Sequence, residues 1–597
     1  MSVKGWFNGH AEPAPIVFAA FDVETDGLGG TLLAGTTTDP QGASRFYSGN
    51  PDTICGLMFD TMWQHPATRG TRHAPSHKVI WYAHNAQYDW RYLLKYALKQ
   101  EDWLVSVSMR SETDIYQVMI KRGSGRKIDT LIMRDSYALF PQTLEQFSSQ
   151  FAPQHAKIHF DHERQTFDPA NHEHRAYAVR DTESLRLSLI AYDATVREDY
   201  GIGLRATAAS TALAAWQKSL PDGEGYYGSE GEVERIAREA YFGGLVFLTS
   251  DDLHADCNTY DINSSYPHQM RTHGVPCGRS CRTTQLVFDL PAFYRVTVRA
   301  PDDLVIPILP MRDKRGSVRW PTGVFETTIT NIELQLAMEN GYDLLAVHDG
   351  LLFERIEYPF KNFVDNSEAI RKRNKKTPRE VVAKLMQNSV YGKFGSRRER
   401  NEMVVLKDTS EVQEGWTPWD EEGLLWIKKE LQEDMQVRVE WAAWITACAR
   451  LHLLKAAYAV GPANVYYGDT DSLTLKRGIH LQTGEAYGEW KLEKQWIRFR
   501  PIAPKVYAGC AMTDKGPALM GAAKGLAKKA LRGQDWLDLM QGRSLELEYE
   551  SLNSLLVSLK RKEQNKAKML TRKSTDIRNS RNYEKRGNNT IRPRKAG

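Results

Sequence analysis

The sequence has few cysteines and no long apolar run. Six cysteines in 597 residues are too sparse for a disulfide framework. No apolar run approaches the roughly 18 residues of a transmembrane helix. Residues 1–21 contain one lysine, two prolines and an apolar run of six residues, which is unlike a secretory signal. We also find no internal repeat. These absences argue against fibrous, membrane-spanning and disulfide-stabilised proteins, and they fit a reducing cytoplasm.

The cysteines raise one alternative. Cys277 and Cys281 are four residues apart, with Cys257 nearby, but no pair of histidines stands at ligand spacing beside them. Free thiols are therefore favoured over a zinc site.

The composition is globular, and its charge is uneven. Hydrophobic residues make up 41% and charged residues 26%, which allows more than one core, and the length predicts about four domains. Residues 560–597 carry 14 Lys/Arg and 3 Asp/Glu, a charge of +11, so the rest of the chain is at −6. Such a balance is typical of an enzyme with several carboxylates and a polyanion-binding segment. We expect residues 560–597 to be a poorly ordered basic tail.

Acidic residues in the second half mark strand ends. The segment from Tyr467 to Ser472 reads YGDTDS and lies between two strand-like pieces, so Asp469 and Asp471 are predicted beside a hairpin turn. The segment YDINSSYP places Asp261 at the end of another strand. Carboxylates from different elements can hold two metal ions, although each segment alone would fit a solvated acidic turn.

A helix is predicted from Thr377 as N-cap, through Pro378 at its first position, to about Val390, with Gly392 at its end. Its shared face carries three side chains: Lys384, Asn388 and Tyr391. The basic run just before it, at 371–376, suits a triphosphate, and a solvated charged face is the alternative.

Together these segments resemble family B DNA polymerases. The matches are Asp261-x2-Ser264-x-Tyr266-Pro267 for motif A, Lys384-x3-Asn388-Ser389-x-Tyr391-Gly392 for motif B, Tyr467-x-Asp469-Thr470-Asp471-Ser472 for motif C, and a later Lys505-x-Tyr507. Motifs B and C each fix five or more positions, and all four matches occur in the family's order.

The first third resembles the proofreading exonuclease of the same family. Asp22 and Glu24 alternate at the end of a predicted strand, and Asn85-x2-Tyr88-Asp89 follows a second strand. Tyr177 and Asp181 lie one turn apart on a predicted helix. The resemblance implies two metal ions that activate a water molecule.

Further motifs resemble the small protein-primed branch, found in phages, adenoviruses and linear plasmids. They are Ser136-Tyr137-Ala138-Leu139, in which Tyr137 replaces the usual Leu, Lys157-x2-Phe160, Tyr241-Phe242-Gly243-Gly244 and Thr446-x2-Ala449-Arg450. The resemblance covers about residues 20 to 550.

The implied fold is α/β and α+β multidomain: an RNase H-like 3′–5′ exonuclease followed by a right-hand polymerase with two insertions. The expected boundaries are exonuclease 1–205, linker and first palm segment 206–267, first insertion (terminal-protein region 1-like) 268–358, fingers 359–396, second insertion (terminal-protein region 2-like) 397–436, second palm segment 437–508, thumb 509–559 and tail 560–597.

The resemblance also implies residue roles. The catalytic residues are Asp261, Asp469, Asp471, Asp22, Glu24, Asp89, Tyr177, Asp181 and Lys157. Metal ligands are Asp22, Glu24, Asp89, Asp181, Asp261, Ile262, Asp469 and Asp471. Nucleotide would be bound by Ile262, Ser264, Tyr266, Arg371, Lys372, Lys384, Asn388 and Tyr391. DNA would be bound by Thr25, Asn85, Tyr88, Tyr241, Gly243, Gly244, Ser389, Gly392, Thr446, Arg450, Lys505 and Tyr507.

We therefore expect a monomeric DNA polymerase in the cytoplasm, that of a bacterial host if a phage encodes it. It would use two Mg²⁺ ions per site, which Mn²⁺ can replace. Expected partners are primer-template DNA, single-stranded DNA, dNTPs and a terminal priming protein, with no membrane. The first insertion would dock that protein and the second would encircle DNA. Three alternatives stay open: ordinary primers, de novo initiation, and a nuclease or DNA-binding remnant.

Overall fold

A computed structural model of the chain describes residues 15–67, 78–111, 114–123, 128–161, 165–222, 224–226, 228–229, 231–405, 415–418, 425–431, 437–526, 531–555, 568–573, 583–586 and 590–596. Among these residues, no helix combines the length and the hydropathy needed to cross a bilayer.

The N-terminal domain is a mixed sheet with helices against it. Its elements are β1 (Ile16–Thr25), β2 (Leu32–Thr38), β3 (Ser44–Ser48), α1 (Pro51–Met62), β4 (Lys78–Ala83), α2 (Gln87–Ala97), β5 (Trp103–Ser111), β6 (Asp114–Arg122), β7 (Asp129–Asp135), α3 (Leu144–Phe151) and α4 (His172–Tyr200). The strand order is β5-β6-β7-β4-β1-β2-β3, with β4 parallel to both β1 and β7. Strand β1 lies inside the sheet and is buried along most of its length, so the residues at its end are held rigidly.

The middle of the chain forms a four-stranded sheet, contributes two strands to the sheet of the palm and contains a pair of packed helices. Its elements are α5 (Ala208–Lys218), α6 (Gly231–Glu239), β8 (Val246–Leu248), β9 (His254–Ile262), α7 (Ser265–Thr272), β10 (Val275–Arg282), β11 (Ala292–Ala300), β12 (Met311–Arg312), β13 (Val318–Arg319), β14 (Gly323–Thr330), α8 (Asn331–Glu339), β15 (Asp343–Glu357), α9 (Lys361–Arg373) and α10 (Pro378–Phe394). The order β10-β15-β11-β14 forms the sheet of the first insertion. Helices α9 and α10 pack as a pair and form the predicted fingers.

The remaining elements complete the palm and lie beyond it. They are β16 (Glu399–Val405), β17 (Trp416–Pro418), β18 (Leu425–Leu431), α11 (Val439–Ala459), β19 (Val465–Asp469), β20 (Ser472–Leu475), β21 (Trp490–Ala503), β22 (Val506–Thr513), β23 (Gly516–Ala523), α12 (Gly533–Met540), β24 (Glu546–Ser551), β25 (Lys568–Lys573), β26 (Tyr583–Arg586) and β27 (Thr590–Pro593). The palm sheet has the order β23-β22-β21-β9-β20-β19-β8. Helix α11 is buried along most of its length and packs against α6, α7 and α10.

The second insertion joins the N-terminal sheet. Strand β16 pairs antiparallel with β5, and Met403 is fully buried in that domain's core. The sequence predicted strands at 403–406 and 424–427, and the observed strands are β16 and β18; Leu406 and Leu424 lie outside the described residues. The sheet thus continues from β1 to the hairpin.

Two predicted boundaries differ from the structure. The boundary at 508/509 falls inside β22, because β22 and β23 continue the palm sheet through Ala523. The boundary at 267/268 falls inside α7, and the insertion's sheet begins at Val275. The domain boundaries follow from which strands pair in each sheet, and the sequence motifs do not reveal that pairing.

Helix α10 is longer than predicted. It begins at Pro378 as expected but passes Gly392 and ends at Phe394. Val390 and Phe394 are buried, and Phe394 packs edge-on against Trp216. Burial of these side chains outweighs the roughly 1 kcal/mol that a glycine costs inside a helix.

The tail was expected to be poorly ordered, and its described parts are not. Ile591 is fully buried in the palm's hydrophobic core, and its backbone N–H donates to the Thr249 carbonyl. The Ala596 N–H donates to the Thr322 carbonyl, and Lys595 pairs with Asp302 at 2.7 Å. The sequence analysis missed this contact because the composition of the tail as a whole is strongly basic, and one buried isoleucine changes it little.

Candidate active sites

Three carboxylates converge at the end of β1. Candidate ligand oxygens of Asp22, Glu24 and Asp181 all lie within 4.8 Å of one another. Asp22 and Glu24 face the same side because they alternate on β1, and Asp181 comes from α4. Asp89, on α2, is buried beside them, and its Oδ1 accepts from the Val23 N–H at 3.0 Å. We call these four residues the N-terminal carboxylate site.

Burial raises the pKa of every carboxyl in this site. The pKa of Asp22 is raised to about 7, first by burial and then by the charge of Asp181. The pKa values of Glu24 and Asp89 are raised well above normal for the same reasons, burial and the charge of Asp22. Four acids this close cannot all ionise without cations, and Asp181 Oδ1 is buried without a hydrogen-bond partner in the described part of the chain. The donor set therefore fits divalent metal ions.

Lys157 and Tyr177, which the sequence analysis named as catalytic residues, lie beside the N-terminal carboxylate site. The Lys157 ammonium contacts the Asp181 carboxylate and lies 3.2 Å from the Tyr177 hydroxyl. Phe160 stacks on the Tyr177 ring, with the centroids 4.9 Å apart. Burial disfavours the charge on Lys157, yet Asp181 outweighs it and raises the lysine's pKa.

A cleft of about 1200 Å³ opens onto this site, with Asp22, Asn85, Tyr137, Lys157 and Asp181 among its lining residues. Two of the carboxylates, Asp22 and Asp181, therefore line an open cleft. The Tyr137 side chain is 46% exposed in it.

Two residues near this site were missed by the sequence reasoning: His84, which lines the cleft, and the buried Asp135. Asp135 Oδ1 accepts from the N–H groups of Asn85 and Tyr137, at 2.9 Å each, and so joins the segment of the predicted DNA-binding residues Asn85 and Tyr88 to the Ser136–Leu139 motif. Burial raises the pKa of Asp135 to about 6 and lowers that of His84 to about 4. Asp135 could have been found from the sequence, because it ends a strand directly before the Ser136 motif.

Thr25 and Tyr88 meet at the other side of the N-terminal carboxylate site. Their hydroxyls are hydrogen-bonded, and the Tyr88 hydroxyl also donates to the Gly27 carbonyl at 3.3 Å. This links the end of β1 to α2 and places both predicted DNA-binding residues on one rim.

A second group of carboxylates lies on the palm sheet. Strand β20 pairs with both β19 and β9, so Ser472 stands opposite Asp469 on one side and opposite Asp261 on the other. Asp471 occupies the two-residue turn between β19 and β20, and its carbonyl accepts from the Ile262 N–H at 2.8 Å. We call Asp261, Asp469 and Asp471 the palm carboxylate site.

Two lysines hold the outer carboxylates of the palm site. Lys491 Nζ lies 2.8 Å from Asp261 Oδ2, and Lys505 Nζ lies 2.8 Å from Asp469 Oδ1. Burial, then the charges of Asp261 and Asp469, raise the pKa of Asp471 to about 6. Lys491, directly opposite Asp261 on β21, was not predicted. The concentrated negative charge at Asp471 again fits a cation.

Backbone strain marks these sites. Asn85, Ser264, Thr470 and Lys505 all have positive φ, between 48° and 63°. Non-glycine residues adopt this conformation at a cost, and such residues cluster at functional sites. Each of the four lies in a motif that the sequence analysis identified.

The predicted nucleotide-binding tyrosines are stacked. The rings of Tyr266 and Tyr391 lie 4.3 Å apart and nearly parallel. On the same helix, the predicted positions Lys384, Asn388 and Gly392 are exposed, and Ser389 is half-buried. Among the described residues outside its own helix turn, no atom lies within 4 Å of where a Cβ of Gly392 would be, so a ligand backbone could approach there. The one-face prediction for α10 is consistent with this arrangement.

Arg371 and Lys372 have different environments. Arg371 bonds to the Ser264 hydroxyl and to the Tyr487 hydroxyl, both at 2.8 Å, and joins the fingers to motif A. Lys372 is exposed and pairs with Glu368 at 2.9 Å. Tyr487, which the sequence analysis missed, also accepts from Gln387 at 3.0 Å.

The linker from Tyr241 to Gly244 lies on the palm carboxylate site. A Cβ on Gly244 would lie 2.7 Å from Thr470 side-chain atoms, so glycine is needed there. The Lys505 N–H donates to the Tyr467 hydroxyl at 2.9 Å, and Tyr507 meets the Tyr467 ring edge-on. The predicted linker and primer-end residues therefore surround the same turn.

Two predicted DNA-binding residues are not at a surface. Thr446 is 2% exposed and Arg450 is 1% exposed, so neither side chain can contact DNA in this conformation. Both lie on the buried helix α11, and the Thr446 hydroxyl donates to the Ala443 carbonyl. The sequence motif was recognised, but its buried surroundings could not be read from it.

The chain is similar to known proteins. Residues 170–424 match the family model described as DNA polymerase type B, organellar and viral. A probable DNA polymerase of Neurospora intermedia is 27% identical over 371 residues, which is 57% of this chain and 38% of that protein. The DNA polymerase of Streptococcus phage Cp-1 is 26% identical over 270 residues, or 42% of this chain and 45% of that protein. These matches confirm the resemblance to family B DNA polymerases.

Other matches extend further along the chain. The DNA-directed DNA polymerase of Enterobacteria phage PRD1 is 25% identical over 450 residues, covering 72% of each chain. Phi29 DNA polymerase complexed with primer-template DNA and incoming nucleotide has a TM-score of 0.71 at 18% identity, covering 95% of this chain and all of that one. The fold is that of an exonuclease domain joined to a palm, fingers and thumb. The chain spans less than half the length of the Neurospora and Cp-1 relatives.

Proposed function

We propose that this chain is a template-directed DNA polymerase with a 3′–5′ proofreading exonuclease. One observation carries the proposal: two carboxylate sites stand on two separate sheets, each surrounded by its own basic and aromatic side chains. The relatives named as DNA polymerases support it. The remnant alternative would need missing carboxylates, and every expected one is present.

In the palm carboxylate site, Asp261 and Asp471 would hold two Mg²⁺ ions, with Asp469 assisting. Such ions lower the pKa of a primer 3′-hydroxyl and neutralise charge on a triphosphate, and Mn²⁺ can replace Mg²⁺. The exposed Lys384 and Asn388 would bind the triphosphate. Tyr266 and Tyr391 would bracket the nucleotide sugar, and the Tyr266 ring would fill the space of a 2′-hydroxyl.

In the N-terminal carboxylate site, Asp22, Glu24, Asp89 and Asp181 would hold metal ions that activate water. Lys157 and Tyr177 would orient the scissile phosphate, since both lie against Asp181. The adjoining cleft would admit a single-stranded 3′ end, with Tyr137 exposed to a base.

The second insertion would help to enclose DNA. Strand β16 fixes the hairpin to the N-terminal sheet, and the Arg91 side chain of that domain contacts the Asn553 carbonyl near the thumb. Leu555 is buried in the N-terminal domain's core. These contacts connect exonuclease, hairpin and thumb, which supports processive, strand-displacing synthesis.

We further propose that synthesis is primed by a protein, which would supply a Ser, Thr or Tyr hydroxyl in place of a primer 3′-hydroxyl. The first insertion would dock it. Exposed apolar side chains on this insertion support docking: Phe288, Leu290, Val324, Met338 and Leu345. We propose that the enzyme is a monomer and acts in the cytoplasm, that of a bacterial host if a phage encodes it, as the phage relatives suggest.

A primer requirement test separates the modes of initiation. The chain is incubated with a singly primed circular template, with and without the primer, and with dNTPs and Mg²⁺. Extension that needs the primer supports a DNA polymerase, and extension without it indicates de novo initiation. Absence of extension in every arm, with single-strand degradation intact, would reduce the chain to a nuclease.

Protein priming has its own test. The enzyme is mixed with the candidate partner from the same replicon, one labelled dNTP and Mn²⁺. We expect a labelled partner protein that survives boiling in detergent. Label found in DNA alone, without partner or primer, would contradict protein priming and leave the polymerase proposal standing.

A further inference from the structure

A buried ion pair connects the first insertion to the palm. Arg450, on α11, and Glu333, in the first turn of α8, are each 1% exposed, with Arg450 Nη2 2.7 Å from Glu333 Oε1. Arg450 Nε donates to the same oxygen at 2.9 Å. The other Glu333 oxygen accepts from the Thr330 hydroxyl at 2.7 Å and caps α8. The pair is therefore fixed at both ends.

The remaining donor group of Arg450 is directed at the linker. Its Nη1 donates to the Phe242 carbonyl at 2.6 Å and to the Gly243 carbonyl at 2.9 Å. The Arg450 guanidinium thus donates to Glu333 on one side and to two successive backbone carbonyls of the linker on the other. A planar fork of donors can do this, whereas a lysine could not reach both partners.

The linker in turn supports the turn of the palm carboxylate site. The Thr470 N–H donates to the Leu245 carbonyl at 2.9 Å, and Gly244 lies directly against the Thr470 side chain. Thr470 has φ of 59° and stands between Asp469 and Asp471. A continuous set of contacts therefore leads from Glu333 through Arg450 and the linker to both carboxylates.

We propose that Glu333 and Arg450 are positioning residues, which set the linker carbonyls and, through them, the turn that carries Asp469 and Asp471. This inference rests on the proposed polymerase function. A buried ion pair contributes little net stability compared with well-packed apolar residues, so stability alone does not account for it. Orientation of the linker does account for the pair, because the Phe242 and Gly243 carbonyls need a hydrogen-bond donor at the position of Arg450.

The test compares variants that separate stability from positioning. In Glu333→Gln the shape is kept and the charge is lost. In the double variant Glu333→Met with Arg450→Met, both charges are removed and apolar side chains of similar length fill the space. Glu440→Gln serves as a matched control, because Glu440 is also 1% exposed and lies on α11 but bonds to Ser229 and not to Arg450 or a linker carbonyl.

Each variant is measured for thermal unfolding, single-turnover nucleotide incorporation, degradation of single-stranded DNA, and hydrogen exchange of amides 242–245 and 468–471. We expect Glu333→Gln to lower the incorporation rate by about 10- to 100-fold, the scale of a misplacement near 1 Å. Exchange in both segments should rise, and single-strand degradation should be unchanged. Glu440→Gln should lower the unfolding temperature without slowing incorporation in the folded protein.

The double variant decides the interpretation. We expect its unfolding temperature to recover toward that of the parent while incorporation stays slow and the linker amides stay exposed to exchange. Recovery of both would assign the pair to stability alone and overturn the inference. A parent that incorporates no nucleotide would instead contradict the proposed function.

Discussion

Asp22 is a buried carboxyl whose pKa is raised from 3.8 to about 7, chiefly by burial. The folded protein therefore binds a proton that the unfolded chain has already lost, and stability falls as pH rises from about 4 through 7. In EDTA, the unfolding temperature should decrease over this range, and Asp22→Asn should flatten the decrease. Unfolding scans at several pH values measure it, and Mg²⁺ should restore the parent's stability at pH 7. A parent whose unfolding temperature rises between pH 5 and 7 would contradict the buried, mutually repelling carboxylates.

Tyr266 is stacked on Tyr391 beside the palm carboxylate site. Tyr266→Val should admit ribonucleotides, because the shorter side chain opens the space that a 2′-hydroxyl would need. We expect discrimination between dATP and ATP, measured as the ratio of kcat/KM, to fall by roughly 10-fold or more. Phe363→Leu is a control, since Phe363 is buried on α9, where its ring contacts Tyr200. Unchanged discrimination would leave Tyr266 as a packing residue.

At the scale of elements, the hairpin of β16 to β18 can be tested by a deletion that removes the outer strands β17 and β18 from the sheet but keeps β16. Removal of residues 406–434, with a short Gly-Ser bridge, leaves β16 paired with β5 and Met403 in the core. Short gap filling and single-strand degradation should persist, while strand displacement should fall by about 10-fold or more, as the lost encirclement makes dissociation easier. Product lengths on a duplex template measure the effect. A variant that copies long duplex as well as the parent would show that the hairpin does not enclose DNA.

Local elements were predictable where short-range chemistry decides them. The turn between β19 and β20, the strand that ends near Asp261 and the start of α10 at Pro378 were all predicted from a few neighbouring residues. The end of α10 was not, because the burial of Phe394 depends on Trp216, far away in sequence. The motif around Arg450 was recognised, but its buried ion pair could not be predicted from it, since Glu333 lies 117 residues away.

At the scale of the whole molecule, part of the basic tail binds to the rest of the protein. Arg592 and Lys595 contact the first insertion, at the Asp303 carbonyl and the Asp302 carboxylate, so their charges are partly engaged within the protein. Ile591 is buried in the palm's core, and truncation after Leu559 would remove this anchor together with the charge. Composition alone predicted disorder, because it averages one anchoring residue with many charged ones.

A charge test should therefore leave the tail's length unchanged. Replacing Lys560, Lys562 and Lys566 with Gln should flatten the slope of log affinity against log salt by up to about 0.9 per lysine that contacts duplex DNA. Fluorescence anisotropy across a salt series measures the slope. Gln replacements at Lys314, Lys515 and Lys524 change the net charge equally and serve as the control. An identical slope in the tail variant and the parent would exclude DNA contact by these lysines.

In the proposed function, one chain carries two separate metal-dependent sites with opposite chemistry. The most direct measurement follows nucleotide incorporation and single-strand degradation side by side in two variants, Asp471→Ala and the double variant Asp22→Ala with Glu24→Ala. We expect a reciprocal result: the first variant loses incorporation and still degrades, and the second loses degradation and still incorporates. Loss of both activities in either folded variant, or of the same activity in both, would contradict the assignment.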